Sequence, residues 1–436
     1  MRLSGWLYPG LKLKRWLLLF ALGFVALVGG VGIILPGRWF QEGVATRTAA
    51  AILIPGGMAL SLWAASKVVR AFAGAVTHSG GPRQLAETFY HQRQLERGPR
   101  IVAIGGGTGL PVLLRGLKEY TSNLTAIVTV GDDGGSSGRL RGEMGILPPG
   151  DLRNCLLALA DTEPLLESLF AYRFNGGGEG LSGHNFGNLF IAAMSQITGD
   201  FGQAIRASSQ VLAVRGQVLP ATLENLVLQA EMEDGSVVRG ETAISQARKK
   251  ICRLSLDPPT AQPVPEALEA IAEAEAIILG PGSLYTSILP NLMITGIAEA
   301  IRASRARKIY VCNCMTQPGE TAGFTASDHV RAILEHVGSG TIEAVVVNVA
   351  PIREEILAAY RLDGAEPVRV DAGELANLGV RILGATVVGG EKRVRHDPLK
   401  LARVVLGDLL DSPVATRRFW DFHLLSERLR EEGGGR

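Results

Sequence analysis

Residues Arg100–Leu114 read RIVAIGGGTGLPVLL, and the fold turns on this stretch. A β-branched apolar run, Ile101 to Ile104, breaks into Gly105-Gly106-Gly107-Thr108-Gly109. An apolar helix then opens at Leu110, with Pro111 in its first turn, where a missing N–H costs nothing. Strand, glycine turn and helix N-terminus in that order present unpaired backbone N–H groups at the positive end of a helix dipole, which is an anion site suited to phosphate. Leu110 stands where the dinucleotide fingerprint needs its third glycine, so the turn predicts phosphate binding in general rather than a dinucleotide. No Gly-Lys-Ser or Gly-Lys-Thr occurs in the chain, which excludes a Walker P-loop.

Downstream, Leu124 to Val130 reads as a second strand that delivers Gly131-Asp132-Asp133-Gly134-Gly135-Ser136-Ser137-Gly138-Arg139 at its carboxyl end, the edge where open α/β sheets bind ligands. Asp132 or Asp133 suits a ribose diol or Mg²⁺, and Gly135, Ser136 and Ser137 offer hydrogen bonds to phosphate oxygens. Asp133 is the candidate metal ligand and, with His184, a candidate catalytic group. Gly134 to Gly138 also satisfies the nucleophile-elbow pattern, but Arg139-Leu140-Arg141-Gly142-Glu143 reads as a poor buried helix, so a serine hydrolase is not expected. Asp151 reads as the cap of a helix running to Ala160, with Arg153 and Asn154 in its first turn facing the same pocket. Leu181 to Asn188 places His184, Asn185 and Asn188 where another helix begins, and the imidazole there suits general acid or base work.

Leu226–Met232 and Ser236–Arg239 flank Asp234-Gly235 as an inserted β-hairpin. Ala276–Leu279 then leads into Gly280-Pro281-Gly282-Ser283-Leu284-Tyr285-Thr286, a second glycine turn feeding a helix N-terminus. Lys308–Val311 and Ala344–Val349 add strands, the first carrying Asn313 and Gln317 to the ligand edge. Two glycine turns on opposing loops predict a crevice. Asp397–Leu410 and Thr416–Arg430 read as helices without chemistry. The prediction is a Rossmann-like α/β body over residues 100–412, a mostly parallel sheet with flanking helices and an inserted hairpin, followed by a tail over 413–436.

The 436 residues carry a net charge of +2, with 47% hydrophobic and 20% charged side chains, which excludes both an acidic disordered chain and a basic nucleic-acid binder. Cys155, Cys252, Cys312 and Cys314 form no C-x-x-C pair, so a disulfide scaffold or zinc ribbon is not expected. Trp16–Leu35 is an uncharged stretch long enough to span a bilayer, and Thr48–Ser66 is a second, interrupted by Pro55-Gly56-Gly57. Lys12, Lys14 and Arg15 precede the first, and Lys67 and Arg70 follow the second. By the positive-inside rule, residues 1–77 then form a hairpin anchor in the inner membrane with both termini and the body cytoplasmic. Residues 78–99 read as a linker, with a helix over Gln84–Arg97.

Taken together, Gly105 to Gly109, Asp132 to Arg139, Pro149-Gly150-Asp151-Leu152-Arg153-Asn154, Gly183 to Asn188 and Gly280 to Leu289 resemble one family across residues 100–412. It is the YvcK-type gluconeogenesis factor family, related to CofD, the 2-phospho-L-lactate transferase of deazaflavin-coenzyme synthesis. The resemblance implies a cytoplasmic nucleotide-binding domain with a UDP-sugar such as UDP-N-acetylglucosamine as ligand, and a link to carbon metabolism and to cell shape and envelope synthesis during gluconeogenic growth. Transferase chemistry belongs to the CofD branch, and the loop forms here resemble the YvcK branch more closely. The leading expectation is a membrane-tethered nucleotide-sugar-binding regulator, homo-oligomeric and placed beside envelope-synthesis enzymes. In it the glycine turns hold the diphosphate, Asp132 or Asp133 holds ribose or Mg²⁺, and His184, Asn185 and Asn188 line the sugar side. The alternatives are a phospholactyl-type transferase using Asp133 with Mg²⁺, and an NAD-binding oxidoreductase.

Overall fold

Apolar runs buried on both faces require a parallel sheet covered by helices, and the strands of the body meet that requirement. The computed structural model of the chain describes residues 13–34, 44–76, 92–161, 164–176, 180–390 and 393–410. β1 (Ile101–Gly105) and β2 (Leu124–Val128) are buried at every residue. With β3 (Gln217–Pro220), β7 (Ala276–Leu279), β8 (Arg307–Val311), β9 (Ala344–Asn348) and β10 (Arg381–Ala385) they form a seven-stranded sheet in the order β10-β9-β8-β7-β1-β2-β3, and every pairing is parallel.

β1 is the pivot of this topology. Ile104 stands beside Ile127 of β2 on one side and Leu279 of β7 on the other. The chain winds outward through β2 and β3, then crosses back to β7 and winds outward the other way. Loops leaving β1 and β7 therefore diverge, and the crevice between them lies at the carboxyl ends of the strands, where such sheets bind ligands.

A second, antiparallel sheet in the order β5-β4-β6 is inserted between β3 and β7. β4 (Val227–Met232) and β5 (Val237–Arg239) are the expected hairpin, turning at Gly235 with φ +78°. β6 (Ile251–Asp257) is unexpected: a register shift opposite Glu231 and Met232 and an irregular burial pattern hide its alternation. β3 and β10 also escape a sequence reading. β3 has four residues and ends in Pro220, which suits an edge strand. β10 contains Gly384 and is at most half-buried.

The second predicted strand stops at Val128, two residues early. The loop after it is shorter than expected because a helix over Gly135–Met144 begins at once. That helix buries only Ser136, Ser137 and Leu140, so it has no apolar face for a sequence to display. Asp151 does not cap its helix. The helix runs from Gly150 to Leu159, its N-cap is Pro149, and Asp151 sits inside the first turn. The second glycine turn enters a π-helical turn, Leu284–Ile288, before the α-helical Leu289–Leu292.

The chain divides into Met1–Glu96 and Arg97–Arg436. The first unit holds α1 (Leu13–Ile34) and α2 (Val44–Val76). α2 runs unbroken through Pro55, and its segment Thr48–Lys67 is the one stretch among the described residues long and apolar enough to cross a bilayer. Leu18–Gly32 of α1 is a shorter apolar helix. A Cβ on Gly57 would lie 2.6 Å from the carbonyl oxygen of Gly23, so these glycines let the two backbones touch. Trp16 and Trp63 meet edge to face with centroids 4.9 Å apart. Most of the expected linker helix and the whole of Thr416–Arg430 lie outside the described residues.

In the second unit α3 (Leu110–Leu117) packs on the helix Pro398–Leu410, and a Cβ on Gly116 would overlap the Pro398 carbonyl oxygen. Gly116→Ala should therefore cost about 1–3 kcal/mol by overpacking. Urea unfolding of the body measures it, and an unchanged midpoint would refute this packing.

Candidate functional site

The two glycine turns meet in the crevice. Gly109 forms the N-cap of α3 without a side-chain cap, Pro111 in the first turn brings no N–H, and the Val112 N–H donates to the Gly109 carbonyl at 3.0 Å. A Cβ on Gly109 would stand 2.5 Å from the carbonyl oxygen of Pro281, and one on Gly106 would stand 2.6 Å from Asp151 Oδ2. At Gly109 it is the opposing backbone that requires glycine, at Gly106 the side chains of Asp151 and Thr129, and at Gly107 a φ of +63°. Gly105 and Gly280 lie side by side beneath them. Between the turns is a cavity of about 320 Å³ lined by Gly107, Thr108, Gly109, Gly282, Ser283 and Asn313.

Asn313, at the end of β8, donates from Nδ2 to the Gly282 carbonyl at 2.9 Å and to Gln317 Oε1 at 3.1 Å. Gln317 Nε2 in turn donates to Ser283 Oγ at 2.8 Å. Buried Asn291, unread in the sequence, ties the carbonyl of Gly105 to that of Ser287 through its Nδ2, at 3.1 and 2.7 Å. Arg393 and Arg395 complete the wall, and they too were unread, since two-residue strands at Val388–Gly389 and Arg395–His396 give no sequence period. The Tyr360 hydroxyl holds this strap, donating to the Val394 carbonyl at 3.4 Å and accepting from its N–H at 3.2 Å. The arginines supply cations that a glycine cradle without lysine lacks.

Beside the first turn, Asp151 Oδ2 accepts from the Gly107 N–H at 2.6 Å. Desolvation and the nearby Asp132 raise its carboxyl to about 6 against the pull of that amide and of Arg153. Asp132 Oδ1 accepts from Gly134 N–H at 2.9 Å. Asp133 turns away to the inserted sheet, where its Oδ1 accepts from the N–H and the hydroxyl of Thr242 at 2.9 and 2.6 Å and holds the start of the helix Glu241–Ala247. Glu241 of that helix is pushed up to about 9 by burial and by Asp132, Asp151, Glu320 and Asp133, and so is protonated at neutral pH. Among the described residues no three His, Cys, Asp or Glu side chains are grouped closely enough to hold a metal by themselves.

The third cluster centres on Ser136, which is hydrogen-bonded to His184, Asn185 and Asn188. Arg153 Nη1 donates to Asn188 Oδ1 at 3.0 Å and Nη2 to Asn154 Oδ1 at 2.6 Å. Burial and Arg173 lower its guanidinium to about 10. Arg139 Nη2 donates to the Ser182 carbonyl at 2.9 Å. Ser137 Oγ lies against Gly150, next to Asp132.

Tyr285 and Thr286 are not brought to the cavity. Tyr285 faces Phe324 and His336 behind the turn, and Thr286 Oγ1 donates to buried Glu320 at 3.1 Å. Glu320 also accepts from Tyr285 N–H at 3.3 Å and so pins the second turn from behind. Neither Glu241 nor Glu320 carries a local sequence signal.

Residues 101–388 match the family described as 2-phospho-L-lactate transferase CofD. A Bacillus subtilis protein named gluconeogenesis factor is 52% identical over 313 residues, 72% of this chain and 98% of its own. A relative from Nostoc is 49% identical over 418 residues, 92% of this chain and 91% of its own, an alignment longer than the body. A crystal structure of a Bacillus halodurans protein, titled a member of the UPF0052 family, superposes with TM-score 0.69 at 52% identity, covering 71% of this chain and 99% of that one.

Two outcomes follow from this geometry. Asp151, with a native carboxyl near 6 against about 3.9 when unfolded, takes up a proton in the native state that the unfolded chain does not take. It should make stability fall as pH rises from about 4 to 6 and level off above. Asp151→Asn, which still accepts from Gly107, should flatten that part of the profile in urea unfolding at pH 4.5, 5.5 and 7. An identical slope in both proteins would refute the shift. Asp133→Ala and Thr242→Val should be non-additive, with a coupling of about 0.5–3 kcal/mol. Additive losses in the double-mutant cycle would separate the two residues.

Proposed function

The chain belongs to the CofD family, with gluconeogenesis factors among its relatives, and from that premise we propose that it is a nucleotide-sugar-binding regulator held at a membrane. The observation that carries this reading is the meeting of two glycine turns across the β1/β7 crevice under Arg393 and Arg395, a cradle for a diphosphate. The nucleoside end lies toward Asp132 and the sugar toward His184, Asn185 and Asn188. Mg²⁺ arriving with the diphosphate would meet Asp132 and Asp151, which sit beside the first turn, rather than Asp133, whose Oδ1 is taken by Thr242. It would offset phosphate charge there.

Tethering rests on Thr48–Lys67, on its packing with α1, and on relatives whose alignment extends beyond the body. A position beside envelope-synthesis enzymes, a homo-oligomeric state and a role in cell shape belong to the same proposal.

A second reading, a transferase moving a phospholactyl-type group from a nucleotide donor, is favoured by the family match and by the Asp132–Asp151 pair at the phosphate turn. Calorimetric titration with UDP-N-acetylglucosamine, GTP and NAD, with and without Mg²⁺, followed by chromatography of the recovered ligand, decides between them. The regulator binds the UDP-sugar and returns it intact. Release of GMP from a guanine nucleotide that carries a phospholactyl group, with that group passing to an added deazaflavin acceptor, would make the protein a transferase and refute the regulator.

A further inference from the structure

Three polar groups surround the Ser136 hydroxyl: His184 Nδ1 at 3.1 Å, Asn185 N–H at 3.3 Å and Asn188 Nδ2 at 3.2 Å. A backbone N–H and an amide NH₂ can only donate, so both lone pairs of the hydroxyl oxygen are taken and its single proton goes to His184. The Asn188 amide cannot turn round, because its Oδ1 already accepts from Arg153, and a guanidinium has no lone pair to offer. Hydrogen bonding therefore runs one way, from Arg153 through Asn188 and Ser136 to His184. Nδ1 is the bare nitrogen, and the proton of the neutral ring is on Nε2.

We propose that this relay makes His184 a fixed Nε2–H donor, not a base, for an acceptor oxygen of the ligand, a carbonyl or phosphate oxygen. Its ligand rests on the nucleotide-sugar reading, whereas its hydrogen-bond direction does not. The charged groups around the ring agree with the assignment. Burial first, then Arg139 from the helix Gly135–Met144, hold the imidazole below its usual range; Glu143 opposes them less strongly than Arg139 acts, and Arg173 from the segment after Pro164–Ala171 adds a smaller lowering. Both arginines also fix the loop that carries the ring, Arg139 on the Ser182 carbonyl at 2.9 Å and Arg173 on the Gly183 carbonyl at 2.7 Å. A base would need Nε2 bare, which the Ser136 proton forbids without rebuilding the chain of donors back to Arg153. Ser136 is thus a positioning residue for His184.

The test is long-range ¹H–¹⁵N spectroscopy of ¹⁵N-histidine-labelled full-length protein, with the seven histidines sorted by a His184→Ala sample, alongside titration of UDP-N-acetylglucosamine and of inorganic phosphate. The expected result is a neutral His184 protonated at Nε2 at pH 7 and above, whose Nε2 signal moves when ligand is added. His184→Ala should weaken UDP-N-acetylglucosamine by about tenfold, the loss of one good hydrogen bond. His184→Gln, which keeps an N–H donor, should recover most of that loss. Ser136→Ala should give a mixture of the two neutral tautomers and a weaker affinity for UDP-N-acetylglucosamine, because Nδ1 loses the hydrogen bond that Ser136 gives it. An Nδ1–H tautomer or an imidazolium at pH 7 overturns the proposal, as does an Nε2 signal that neither UDP-N-acetylglucosamine nor phosphate moves. If phosphate moves that signal and no nucleotide sugar binds, the donor assignment stands and the nucleotide-sugar reading falls.

Discussion

The contact on which the rest of the site depends is between two turns of bare backbone. At the ends of β1 and β7 the Gly109 and Pro281 segments approach so closely that a single methyl group on Gly109 would reach the opposite carbonyl oxygen at 2.5 Å. A parallel sheet makes the approach available, because β1 and β7 are paired neighbours whose turns leave the same edge from adjacent positions. Glycine makes it sterically tolerable. Asn291 and Asn313 then lock the turns from below and from the side, so the amides that would meet a phosphate are held before any ligand arrives.

Carboxylates set the electrostatics of the same crevice. Asp132, Asp133, Asp151, Glu241 and Glu320 act on one another, and the protein meets the cost of grouping them in separate ways. Asp133 is spent on Thr242, Glu320 on the back of the second turn, and Glu241 keeps its proton. Asp132 and Asp151 remain beside the first glycine turn. An anionic ligand with a counter-ion fits this division of charge, with cations on the outer walls and carboxylates where a metal would accompany phosphate.

How much of this was legible in the sequence depended on whether the signal was local. β1, β7, β8 and β9 read correctly because each is a short apolar run ended by glycine or polar residues. The glycine turns, His184 with its neighbours, and Asn313 were legible as small polar residues crowded at strand and helix ends. Residues 135–144 were not, since a helix burying two serines and one leucine shows no period. Asp151 was legible as important and misread in role: its place before a helix suggested a cap, but its carboxylate reaches 44 residues back to Gly107.

The sequence by itself determined the α/β class, the two glycine turns and the apolar N-terminal helices, because strand length, glycine placement and apolar periodicity act between near neighbours in the chain. Only the tertiary structure decided which carboxylates face the crevice, that Asp133 serves Thr242, that Arg393 and Arg395 close the wall, and in which direction Ser136 donates. Those outcomes depend on groups far apart in sequence arriving within about 3 Å of one another, where hydrogen-bond direction and shared burial fix charge and proton, and no local pattern encodes them.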